Sequence, residues 1–184
     1  MKYYKHIQLK SGIDCILRNP NAEDAQEILQ HMILTSGETG NMARYPDEIT
    51  MTVEQERAYL SSIEFSSNEI MISAIIEGKI IANAGISPVL TYEKYKHRAN
   101  FGISIQKKYC ALGIGSAIMS AILEIAHQVG YEQVELDVLT DNEPAIALYK
   151  KFGFQIYGTH EKAFRYRDGQ YKSLYLMSYE LGDS

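Results

Sequence analysis

Little in this chain can cross-link, span a bilayer or grip a polyanion. It has 184 residues and two cysteines, Cys15 and Cys110, too few for a disulfide framework, so a reducing compartment is the expectation. No apolar run approaches the ~20 residues that a membrane crossing needs. The opening residues Met1-Lys2-Tyr3-Tyr4-Lys5-His6 lack the apolar core of a secretion signal. These absences predict a soluble, cytoplasmic protein with no membrane partner. Positive charge is in deficit, with 18 Lys and Arg against 23 Asp and Glu and a net charge of −5. That argues against nucleic-acid binding and mildly favours a cationic substrate. No Cys/His cluster has metal-ligand spacing, so no metal is expected. There is no repeat, low-complexity tract or linker, which predicts a single domain over residues 1–184.

What is present is ordinary globular material, 46% hydrophobic and 22% charged, patterned into alternating elements. Two alternating runs about Ser11-Gly12 predict an N-terminal hairpin at about 6–18. Asn21 caps a helix whose apolar side is Ala22, Ala25, Ile28, Leu29, Met32 and Ile33. Thr52-Val53-Glu54-Gln55 has the form of a capping box, opening a helix to about Phe65. Runs at 69–77, 80–89 and 99–106 read as strands. In the last, Phe101, Ile103 and Ile105 alternate with Gly102 and Ser104, giving one bulky and one small face. Ile114, Ile118, Ile122, Ile125 and Val129 stripe a further helix. A strand at 133–139, a short helix after Asn142, and strands at 154–164 and 171–180 complete the chain. The predicted class is mixed α/β, with a central, mixed, mostly antiparallel twisted sheet of about seven strands and about four flanking helices.

The most informative segment is Cys110-Ala111-Leu112-Gly113-Ile114-Gly115-Ser116, placed after a strand and before the isoleucine-striped helix. Glycine permits a sharp turn and close approach of a ligand to the backbone. The helix start offers unpaired N–H groups and a positive dipole end. Such a corner suits a pyrophosphate. A second motif follows, Asn142-x-x-Ala145-Ile146-x-Leu148-Tyr149-x-x-x-Gly153-Phe154. A Rossmann-type dinucleotide site would need a third glycine three residues after the second, and this segment does not supply it.

On these two motifs the chain resembles the GNAT superfamily of acyl-CoA N-acyltransferases, most sharply from His97 to Phe154. The resemblance extends to the order of elements along nearly the whole chain. The family's cofactor motif is Arg/Gln-x-x-Gly-x-Gly/Ala. Both glycines match here, while Cys110 replaces Arg or Gln and Ala111 replaces a frequent glycine. The second motif matches fully. A Tyr-x-Asp near the C-terminus of many members is Tyr171-Lys172-Ser173 here. The resemblance implies acetyl-CoA as cosubstrate, an amine-bearing small molecule or peptide as acceptor, and direct attack in a ternary complex. Dimers are common in the family, which leaves a homodimer open.

The resemblance also assigns roles. Cys110, Ala111, Leu112, Gly113, Ile114, Gly115 and Ser116 would hold the pyrophosphate. Ile103, Ser104 and Ile105 would offer backbone groups to the pantetheine arm as a strand does, in the wedge between the strand ending near Gln106 and the strand beginning near Gln133. Asn142 would bind that arm or cap its helix. Tyr149 would be the general acid, protonating the departing thiolate. An alkyl amine has a pKa of ~10 and is mostly charged at neutral pH, so a base is wanted. Asp137 ranks first, Glu135, on the same strand face, second, and Glu38, in a loop bordering the acceptor, third. The rival from another class is a non-catalytic acyl-CoA-binding or sensing module.

Overall fold

The computed structural model describes residues 2–10 and 12–182. Its sheet has eight strands: β1 (Tyr4–Gln8), β2 (Asp14–Arg18), β3 (Ile70–Ile76), β4 (Lys79–Pro88), β5 (Arg98–Ile105), β6 (Gln133–Leu139), β7 (Gln155–Arg165) and β8 (Tyr171–Glu180). They lie in the order β1-β2-β3-β4-β5-β6-β8-β7. The pairing of β5 with β6 is parallel, and β1–β2, β2–β3, β3–β4, β6–β8 and β7–β8 are antiparallel. The mixed, mostly antiparallel class stands. The strand count rises from about seven to eight because the N-terminal hairpin contributes two strands to the sheet. Gly12 closes that hairpin at φ 79°, with its N–H on the Leu9 carbonyl at 2.8 Å. Ser11, the other expected turn residue, lies outside the described residues.

Four α-helices are present: α1 (Ala25–Glu38), α2 (Val53–Glu64), α3 (Ile114–Val129) and α4 (Glu143–Lys151). The Thr52 hydroxyl accepts from the Gln55 N–H while the Gln55 side chain accepts from the Thr52 N–H. This reciprocal cap contributes about 1 kcal/mol. Asn21 caps a short 3-10 turn, Ala22–Asp24, ahead of α1. The buried face of α1 departs from expectation. Ile33 is exposed, and the face continues instead through His31, Thr35 and Ser36. The α3 stripe is buried at Ile114, Ile118, Ile122 and Ile125.

The chain divides into two compact units. The first comprises Met1–Ser87 with Gly102–Ile122, the second Pro88–Phe101 with Leu123–Ser184. In the first, Ala25, Ile28, Leu60, Ile75 and Ile80 form a core cluster that joins α1 and α2 to β3 and β4, with Ile16, Met32, Val53 and Met71 packed at its margin. In the second, Tyr149 packs edge-on to Phe101 and tilted against Phe154, which in turn meets Tyr179. Such aromatic pairs add stabilisation beyond their buried area.

Candidate active site

The glycine corner belongs to the first unit and is built from the end of β5 onward. The Gln106 N–H donates to the Ile81 carbonyl at 3.0 Å, and its side-chain amide donates to the Ile80 carbonyl at 3.0 Å. A 3-10 turn, Lys107–Tyr109, follows. The Glu38 carboxylate, at the end of α1, accepts from the Lys107 N–H at 2.7 Å. Glu38, third among the expected bases, therefore ties a helix end to this turn. Ala111 adopts φ 64° and Gly113 φ 91°. The left-handed region is routine for glycine and uncommon for alanine. A Cβ placed on Gly113 would meet nothing within 4 Å, so its surroundings are open. The helical ladder of α3 starts with the Ala117 N–H on the Gly113 carbonyl at 3.1 Å. The N–H groups of Ile114, Gly115 and Ser116 precede that bond and have no partner in the helix. This is the donor set an anion needs. The Cys110 thiol is exposed, and partial burial, aided by the Glu38 charge, pushes its pKa up. It stays a thiol at neutral pH, despite its place ahead of a helix.

Along β5, the parallel ladder to β6 runs only from Arg98–Gln133 to Asn100–Glu135. One backbone edge of Ile103, Ser104 and Ile105 is therefore outside that ladder. The Ser104 hydroxyl lies 2.9 Å from His31 Nε2, and the Gln106 amide lies 3.5 Å from His31 Nδ1. His31 is 2% exposed. Burial lowers its pKa to about 4, outweighing the Ser104 contact and the Glu38 charge. The ring is neutral at pH 7.

Beside Gly102, Ile103 and Ser104 opens a cavity of about 390 Å³, also within the first unit. Glu56 of α2 lines it and is 2% exposed. Burial raises the Glu56 pKa, and the positive charge of Arg44 opposes that rise. Neither Glu56 nor Arg44 was among the residues expected from sequence. The available signal was positional. Val53, Glu56, Leu60 and Ile63 share one face of α2, so a carboxylate occupies a stripe otherwise apolar.

The second unit holds the other motif. Asn142 caps α4, its side chain accepting from the Ala145 N–H at 3.4 Å. Tyr149 is 7% exposed, and burial pushes its phenol up to about 12. No hydrogen-bond partner for its hydroxyl is found among the described residues. It is a protonated, unengaged donor. Glu135 is bound by the Arg98 guanidinium through two contacts, one from Nε and one from Nη2 at 2.9 Å. Asp137, two residues on and on the same strand face, is exposed at the residue level. Its pKa is raised by burial of the carboxyl, with His160 opposing and Glu135 reinforcing. Of the two, Asp137 is the carboxylate without an ion-pair partner among the described residues. Among the described residues no group of three His, Cys, Asp or Glu side chains is placed to hold a metal, and no helix is long and apolar enough to cross a membrane.

Comparison with known proteins places these features. The model of the Acetyltransferase (GNAT) family matches residues 39–154. The L-amino acid N-acetyltransferase AaaT of Escherichia coli is 35% identical over 106 residues, covering 57% of this chain and 64% of that protein. The N-alpha-acetyltransferase RimI of Mycobacterium tuberculosis is 31% identical over 88 residues, covering 48% of this chain and 53% of that one. The chain thus spans somewhat over half the length of these relatives. The crystal structure of a GNAT-family acetyltransferase from Streptococcus pneumoniae superposes with a TM-score of 0.86 at 28% identity, covering 90% of this chain and 99% of the other. A GNAT superfamily phosphinothricin acetyltransferase from Sinorhizobium meliloti, in complex with AcCoA, shares the fold with a TM-score of 0.80 at 18% identity, covering 96% and 90%. By family match and by fold, the chain belongs to the Acetyltransferase (GNAT) family of the acyl-CoA N-acyltransferase superfamily.

Proposed function

We propose that this protein transfers the acetyl group of acetyl-CoA to the primary amine of a small molecule or peptide, by direct attack in a ternary complex. The observation that carries the reading is the corner at Gly113–Ser116. Open glycine backbone and helix-start N–H groups without helical partners fit a diphosphate. Cys110, Ala111 and Leu112 form the approach to it, and Lys107 and Lys108 add positive charge nearby. The backbone edge of Ile103, Ser104 and Ile105 outside the β6 ladder would carry the pantetheine arm in strand fashion. One N–H there would serve the tetrahedral oxyanion.

In this reading Tyr149 donates its phenolic proton to the sulfur as the carbon–sulfur bond breaks. The phenol, pushed up to about 12 by burial, carries its proton at neutral pH, as a donor to the departing sulfur must. Asp137 is the preferred base, acting through a water on the ammonium. Glu135, neutralised by Arg98, supports the strand and is a weaker base for that reason. Asn142 fixes the entry of α4, the helix that carries Tyr149.

The test is thioester consumption with a panel of amines, run beside calorimetric titration of CoA. Turnover of any amine supports the enzyme. CoA binding with no turnover across the panel would favour the sensing module instead. Absence of both would remove the cofactor site.

A further inference from the structure

We infer that the acceptor is a free apolar α-amino acid, its ammonium received by Glu56, its carboxylate by Arg44 and its side chain by a methionine-lined wall. The inference rests on the acetyltransferase reading and concerns the 390 Å³ cavity beside β5.

Glu56 supplies the first argument. A carboxylate on the apolar stripe of a helix is costly unless a cation meets it. Its carboxylate has no hydrogen bond or ion pair among the described residues. No buried side-chain oxygen there is left without a partner, so what access Glu56 retains is at its carboxylate, and the residue lines the cavity. That combination calls for a cationic guest.

Arg44 supplies the second. It lines the same cavity and its positive charge acts on Glu56, yet no ion pair joins the two among the described residues. Opposite charges in one cavity, held apart rather than closed on each other, match the two ends of a zwitterion. A polyamine would place a second cation near Arg44. A peptide N-terminus carries no carboxylate on its first residue.

The remaining wall gives the side-chain preference. Met32, Met42, Met51 and Met71 line the cavity, four of the seven methionines in the chain. Methionine is flexible and polarizable and adapts to apolar groups of differing shape. The volume sits at the small end of ligand pockets, which suits a single amino acid.

The experiment compares L-methionine, L-leucine and L-phenylalanine with L-methioninamide, spermidine and a methionine-initiated tripeptide as acceptors. The expected result is a kcat/KM at least tenfold higher for the free amino acids. Arg44→Gln is expected to raise their KM about tenfold while leaving that of L-methioninamide within twofold. Glu56→Gln is expected to weaken both, with an unchanged melting temperature as the control for folding. Preference of the wild type for the amide, spermidine or the tripeptide would overturn the inference, and turnover would still uphold the enzyme. An Arg44→Gln variant that keeps the wild-type discrimination would also overturn it. If no amine is consumed, the acetyltransferase reading itself fails. Calorimetric binding of L-methionine to the CoA-loaded protein then decides: binding lost in Arg44→Gln supports the pocket, and no binding overturns it.

Discussion

The two compact units bury different chemistry. All five buried polar or charged side chains among the described residues, His31, Thr35, Ser36, Glu56 and Ser73, lie in the first. The second packs Phe101, Tyr149, Phe154 and Tyr179 ring on ring and keeps ion pairs such as Arg98–Glu135 and Lys172–Asp141 partly in water. Polar burial is destabilising unless each group finds a partner. In the first unit His31, Thr35 and Ser73 have protein partners, while Thr35, Ser36 and Glu56 line the cavity beside β5. The second buries Tyr149 between Phe101 and Phe154. In the proposed reaction, acceptor selection would fall to the first unit and proton donation to the second.

Substitutions can break or sharpen this contrast. The largest effect is expected from Tyr149→Phe. It keeps the ring packing of the second unit and removes only the donor, so turnover should fall by roughly a thousandfold. CoA affinity and melting temperature should barely move. Equal turnover, measured by thiol release, would take Tyr149 out of the chemistry. Gly115→Glu in the first unit should do the reverse and weaken CoA binding by about a hundredfold or more, through bulk and negative charge at the phosphate corner. Unchanged calorimetric affinity would place the diphosphate elsewhere.

A third effect is pH-dependent stability of the first unit. His31 has a folded pKa of about 4, below the ordinary 6.5, so between these values the unfolded chain binds more protons. Its contribution is complete above pH 6.5 and is lost as pH falls toward 4. By pH 5 the loss should reach about 2 kcal/mol. Denaturant titrations of the wild type and His31→Gln over pH 5–8 should show a flatter profile in the variant, and parallel profiles would refute the linkage. The smallest effect is expected at the corner itself. Ala111 sits at φ 64°, so Ala111→Gly should raise stability by up to about 1 kcal/mol, the relief of a left-handed alanine exceeding glycine's extra chain entropy. A lower melting temperature in that variant would show that the alanine carries no such strain.

The legible parts of the sequence were those governed by local rules. The β6 and β8 limits and the start of α2 follow from alternation and a capping box, and they agree with the structure within a residue. The glycine corner was legible because its strand, turn and helix start are contiguous. Ile33 was misplaced because six helical positions allow more than one best face. Choosing between them needed the contact of α1 with Ser104, 73 residues away. Glu56 and Arg44 escaped for a related reason. A carboxylate within an apolar stripe reads locally as a solvated interruption, and only the tertiary structure turns it toward a cavity. The pairing of Glu135 with Arg98, 37 residues apart, was likewise invisible to spacing.

The sheet ends on β7, and its register with β8 shifts twice, between Ile156 and Gly158 and between His160 and Phe164. Lys162 sits within the second irregularity at φ 53°. A border strand kinked at two points, with histidine, glutamate and lysine at the second, offers stray chains no long straight template to zip onto. That rim should resist fibrous self-association even when the protein is crowded.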